Sequence, residues 1–288
     1  EAFELMHQKL DSNWKSIFRV LKQGGICCIN IGDSTRTFDD VFKMYNSHSR
    51  ILTSCISIGF SSLPSIIWKK STNSPNKFMG SGMYPVGSHV TLEHEHILVM
   101  RKGERRKFKT KEAKLNRHES AFFWEERNRW FSDTWRGIQG RLQDIDEGDR
   151  ERSAAFPFKL AYRLINMFSV KNDTVLDPFL GTGTTTRAAI CSQRNSIGVE
   201  LSDSLSGVIT DQVMNSKTFC NKYIADRFKN HLEYIDERIK SGKEVKHKLN
   251  NHDFPCISYQ ESKILINNIS SIEKKDDLFE VKYEKLIN

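Results

Sequence analysis

Apolar residues recur at helical spacing from the start of the chain: Phe3, Met6, Leu10, Trp14, Ile17, Phe18 and Leu21 fall on one face. Gly24-Gly25 ends that helix. The next apolar run, Ile26–Ile31, is short and unbroken, the pattern of a buried strand. It delivers Gly32-Asp33-Ser34 to a strand end. The pattern predicts a helix through residues 41–58, then strands over 65–69 and 96–100. Residues 71–90 between these strands are rich in Ser, Asn, Gly and Pro and predict a loop. Helical spacing returns at Phe158–Phe168. A strand over 174–176, a helix over Thr184–Cys191 and a strand over 196–199 follow. From about Val213 the chain reads as helical and charged, with a strand-like pair near 263–266 and 279–283. Alternating strands and helices define an α/β protein.

The interval between the halves is different in kind. Nine Lys or Arg side chains lie between Arg101 and Arg117, opposed only by Glu104 and Glu112. An aromatic cluster follows, with Phe122, Phe123, Trp124, Trp130, Phe131 and Trp135, and then a polar stretch over 144–152. Residues 102–152 therefore read as an insertion. The formal net charge is +8 and the pI near 9.1, an excess that attracts polyanions. The 288 residues suffice for a large core, and no apolar run approaches the ~18 residues of a membrane span. Residues 1–9 do not resemble a signal sequence. No C-x-x-C pair occurs among the six cysteines, so a zinc ribbon is excluded and reduced, buried thiols in a cytoplasmic protein are expected.

The segment richest in chemistry is Val175-Leu176-Asp177-Pro178-Phe179-Leu180-Gly181-Thr182-Gly183-Thr184-Thr185-Thr186. A buried strand enters a glycine-rich turn and leaves as a helix, whose first amides face whatever the turn holds. A phosphate-binding P-loop needs a Lys that is absent here. The dinucleotide fingerprint needs a third glycine where Thr186 stands. A nucleoside cofactor without pyrophosphate needs the turn plus an acid at the end of the next strand, and Glu200 is that acid.

These residues resemble a known family. Asp177-Pro178-Phe179 with Gly181, Gly183, Thr184 and Thr185 is similar to motif I of the β-group amino-DNA methyltransferases. Glu200 resembles their motif II acid, and Phe156-Pro157 their motif X, which walls the methionine end of the cofactor. Residues 14–33, 66–69 and 94–98 resemble the segment after the catalytic motif and the last two strands of the catalytic half. The resemblance implies S-adenosylmethionine as cofactor and duplex DNA as partner. It implies a Rossmann-like fold with a mixed, mostly parallel sheet, an antiparallel last hairpin and permuted motif order. The expected division is 1–101 for the catalytic half, 102–152 for target recognition, 153–212 for cofactor binding and 213–288 for a C-terminal extension. Arg105, Arg106, Lys107, Lys109 and Lys111 would then meet DNA phosphates. Asp33 would either line the pocket or cap the next helix.

The family's catalytic tetrapeptide, a polar residue followed by Pro-Pro-aromatic, is not in the chain, which has no Pro-Pro pair; the resemblance places it before Glu1. The expected activity is methyl transfer to the exocyclic N4 of cytosine, with adenine-N6 as the alternative, beside a cognate restriction endonuclease. A non-catalytic cofactor- or DNA-binding fragment and an RNA methyltransferase are the rival classes. Pro255-Cys256 raises a further alternative, the cysteine nucleophile of cytosine-C5 methyltransferases, but that family's Glu-Asn-Val is absent. His89, His94, Glu95 and His96 lack helical H-E-x-x-H spacing, and no metal is expected there.

Overall fold

The structure is a computed structural model and describes residues 1–70, 79–80, 82–138 and 157–286. Phe156, residues 71–78 of the predicted loop and the polar stretch 144–152 lie outside the described residues. The chain forms two compact units. One comprises Glu1–Lys107 with Ser132–Gln139, the other Phe108–Phe131 with Gly140–Asn288.

The first unit opens with α1 (Ala2–Val20) and β1 (Ile26–Ile31). The chain then departs from the predicted helix over 41–58. Residues Ser34–Phe38 (β2) and Val41–Tyr45 (β3) form an antiparallel hairpin, and α2 begins only at Ser47, running to Ile58. Asp39 and Asp40 at the tip both take positive φ, at 47° and 59°. A two-residue left-handed turn matches strand twist and closes a tight hairpin, and Asp tolerates it better than most residues. Strand β4 (Phe60–Lys69), the short pair β5 (Met79–Gly80) and β6 (Ser88–His89), and β7 (His94–Lys102) follow.

The main sheet has the order β1, β7, β4, β8, where β8 is Thr134–Trp135. It is mixed: β7 runs antiparallel to both β1 and β4, while β8 runs parallel to β4. The expected antiparallel hairpin is thus β4 and β7. Strand β4 changes register between Leu63 and Ile66, around Pro64. Proline cannot donate to the ladder and is tolerated at such an irregularity. Trp14 of α1 and Ile51 and Cys55 of α2 are buried with Ile29, Phe60, Leu98 and Met100 of the strands.

The second unit begins with α3 (Lys111–Glu119) and α4 (Trp124–Trp130). After α5 (Phe158–Phe168) come β9 (Thr174–Asp177), α6 (Thr184–Cys191) and β10 (Asn195–Gly198). Strands β9 and β10 pair in parallel, so β9-α6-β10 is a βαβ unit. Helices α7 (Ser206–Met214) and α8 (Ser216–Lys240) follow, then the short pair β11 (His247–Lys248) and β12 (Pro255–Cys256). In the hairpin of β13 (Asn267–Lys275) and β14 (Leu278–Lys285), β13 begins just past the predicted 263–266, while β14 contains the predicted 279–283.

One core joins regions that the sequence divides. Phe123 and Trp130 are buried with Ala188 and Ile190 of α6 and with Cys220, Ile224 and Phe228 of α8. The extension from 213 onward therefore shares its core with the cofactor half, and α4 belongs to the same core. Trp135 is 1% exposed and belongs to the first unit, so the insertion is shared between the units. Within the aromatic cluster, Trp130 and Trp135 are core, while Trp124 is exposed. Among the described residues, no helix is long and apolar enough to cross a membrane.

Candidate cofactor site

Strand β9 ends at Asp177, and its carboxylate organises the turn that follows. Oδ1 accepts from the Phe179 amide at 3.0 Å, and Oδ2 accepts from the Thr185 hydroxyl at 2.5 Å. The strand end is thereby tied to both sides of the glycine turn. Gly181 and Gly183 take φ of 55° and 90°, a region where a side chain is strained. Gly183 is the N-cap of α6, so the turn ends at a helix N-terminus. A Cβ on Gly181 would meet nothing within 4 Å. Its backbone is therefore open to a ligand.

Glu200 closes the corner from β10. Its Oε2 accepts from the Gly181 amide at 2.8 Å, and Oε1 accepts from the amides of Leu201 and Ser202, each at 2.9 Å. These bonds, the Ser202 amide first, hold the carboxyl below its ordinary pKa. It stays ionised at neutral pH, and Oε2 keeps acceptor capacity for a hydroxyl. Gly198 permits the approach, since a Cβ there would meet the Leu180 side chain at 2.4 Å. Phe179 is 53% exposed and presents its ring to solvent. A cavity of about 540 Å³ opens beside Glu200, lined also by Leu180, Ser202, Ile209, Lys274 and Phe279.

An ionised acid, an open glycine backbone, a helix N-terminus and an exposed aromatic ring fit a nucleoside cofactor. The acid suits a ribose diol, and the absence of a lysine from the turn suits a ligand without phosphates. Asp177, Pro178, Phe179, Gly181, Gly183, Thr184, Thr185 and Glu200 are brought together at this corner. Pro157 caps α5 in the same unit, with φ −62° and ψ 142°. Asp33 lies in the first unit, where its carboxylate accepts from the His48 amide in the first turn of α2 at 3.1 Å. Arg105, Arg106, Lys107, Lys109 and Lys111 are all exposed, and Lys107 sits 3.3 Å from Glu104. Cys256 is fully buried, and burial pushes its thiol up to about 12, so no thiolate nucleophile forms there.

Sequence reasoning missed one constellation. His48 and His96 both turn toward Asp33, whereas the sequence grouped His96 only with its strand neighbours. Nothing local links Asp33 to a histidine fifteen residues on, because β3 of the hairpin between them falls inside the predicted helix over 41–58.

A βαβ corner with a glycine turn and an acid after the second strand is shared by Rossmann-like folds that bind nucleoside cofactors, the S-adenosylmethionine-dependent methyltransferases among them. Residues 1–211 match the N6/N4 methyltransferase family profile, described as DNA methylase. The chain belongs to this family. It is 44% identical over 287 residues to the Type II methyltransferase M.MthZI of Methanothermobacter thermautotrophicus, covering 99% of this chain and 79% of that protein. It is 50% identical over 213 residues to the Type II methyltransferase M.MjaI of Methanocaldococcus jannaschii, covering 74% of this chain and 69% of that one. Among solved structures, a DNA modification methylase of Thermus thermophilus, complexed with S-adenosylmethionine, superposes with a TM-score of 0.62 and 32% identity, covering 75% of this chain and 79% of that one. The protein is an S-adenosylmethionine-dependent DNA methyltransferase of the N4/N6 amino type.

Proposed function

We propose that the chain methylates the exocyclic N4 of cytosine at a specific duplex sequence, as the modification partner of a restriction endonuclease in the cytoplasm. The observation that carries the cofactor assignment is the Glu200 carboxylate, bonded to the glycine turn while keeping acceptor capacity. The preference for N4 rests on the likeness of Ile31-Gly32-Asp33-Ser34 and Gly181-Thr182-Gly183-Thr184-Thr185 to that subgroup. Adenine-N6 is the second reading, since the family spans both amines. The two archaeal relatives are named Type II methyltransferases, which supports the restriction-modification role.

When bound, S-adenosylmethionine would be held with its ribose hydroxyls on Glu200 and its body against the Asp177-braced turn at Gly181 and Gly183. By the family resemblance, Pro157 would wall the methionine end. The cofactor supplies an electrophilic methyl on a sulfonium. An exocyclic amine has its lone pair spread into the ring, so the base must leave the stack to present it. The residues assigned to the cofactor bind and orient it. Positioning and electrostatics supply the rate.

Mass spectrometry of nucleosides from DNA treated with the protein tests the chemistry. N4-methylcytosine is expected; N6-methyladenine selects the second reading, and a product found only in RNA overturns both.

The basic segment 101–117 positions the duplex through phosphates. Replacing Arg105, Arg106 and Lys107 with Gln is expected to lower the slope of log affinity against log salt by about 2 to 3. An unaltered slope removes them from the interface.

A further inference from the structure

We propose that Asp33, His48 and His96 form a binding site for a divalent transition-metal ion of the zinc class. Asp33 Oδ2 lies 2.6 Å from His48 Nδ1 and 3.9 Å from His96 Nε2. The three donor atoms lie within 4.8 Å of one another. The two imidazoles stack at 3.9 Å with an interplanar angle of 18°, so one ring must turn for both in-plane lone pairs to meet a single ion.

In a tetrahedral zinc site with bonds of about 2.0 to 2.1 Å, donor atoms sit roughly 3.3 Å apart. The observed 2.6 and 3.9 Å bracket that spacing. The carboxylate is already oriented. Its Oδ1 is held by the His48 amide at 3.1 Å, and Oδ2 is paired with His48 Nδ1 at 2.6 Å, a bond that the ion would replace. Such outer hydrogen bonds fix the direction of a metal ligand. His48 and His96 side chains are 28% and 19% exposed, so an ion can enter and water can complete its shell. Two imidazole nitrogens with one carboxylate oxygen suit zinc, cobalt or nickel rather than magnesium or calcium, which take oxygen donors.

A second cluster, Glu125, His231 and Glu261, is a poorer candidate. Both nitrogens of His231 are already bonded, to Glu125 and to the Pro255 carbonyl, at 2.9 Å each.

Titrating the full chain with Zn²⁺ should show one equivalent bound and a Tm raised by about 5 °C at hundredfold excess over Kd, with no response to Mg²⁺ or Ca²⁺. Asp33→Asn keeps an acceptor for the α2 amide and should weaken Zn²⁺ at least about tenfold, and His48→Gln with His96→Gln should abolish it. Co²⁺ substituted into the unaltered protein gives a readout that needs no variant. Visible absorption typical of nitrogen and oxygen donors is expected. No binding, binding that survives the double histidine variant, or a thiolate charge-transfer band from the cysteines overturns the site.

Discussion

Glu200→Ala is expected to weaken S-adenosylmethionine binding by about tenfold to hundredfold, with the fold intact. One charge-assisted hydrogen bond from a ribose hydroxyl to the carboxylate is worth roughly 1.5 to 3 kcal/mol, which sets that range. The variant also releases the Gly181, Leu201 and Ser202 amides, but these lie at a half-exposed corner where water replaces the oxygen. The effect therefore falls on binding rather than on folding. Asp177→Ala is expected to act in the same direction through the turn, by freeing the Phe179 amide and the Thr185 hydroxyl. Calorimetric titration of the cofactor measures both. An affinity within twofold of the parent for Glu200→Ala moves the ligand away from this corner.

Glu126→Ala is expected to cost about 3 to 5 kcal/mol of stability, read from denaturant midpoints. Arg227 meets Glu126 through two bonds of 2.6 and 2.7 Å and donates to the Tyr162 hydroxyl at 3.1 Å. Its guanidinium also lies over the rings of Phe123, Trp130 and Tyr162. Burial opposes the charge, yet the Glu126 carboxylate outweighs it and holds the guanidinium pKa above its ordinary value. A pair with side chains 8% and 12% exposed contributes little beyond its desolvation, but removing one member strands the other. The double change Glu126→Leu with Arg227→Met is accordingly expected to cost less than Glu126→Ala alone. A loss below about 1 kcal/mol for Glu126→Ala means that water solvates the pair.

The cofactor corner was legible because its chemistry is local. Asp177, the two glycines and the threonines fall within nine residues, and Glu200 ends the adjacent strand. The β2–β3 hairpin was illegible for the opposite reason. Its turn is Asp39-Asp40 rather than Asn-Gly, and the apolar spacing of Val41 and Phe42 continues smoothly into α2. The aromatic run 122–135 stands out in the sequence, but nothing in its composition sends Phe123 and Trp130 to the core of one unit and buries Trp135 in the other. The partners of Arg227 and of Asp33 are equally hidden, because each depends on elements far apart in sequence.

The chain passes between its two units at residues 107/108, 131/132 and 139/140, so neither is a continuous stretch of sequence. The returning piece supplies β8 to the edge of β4 and the Ile138 carbonyl to the Trp68 indole, at 3.2 Å. No single cut can yield the first unit whole. A fragment ending at Lys107 would bare a strand edge and leave a buried tryptophan without its acceptor. A split version of this enzyme must therefore be made from two chains that are expressed and assembled together.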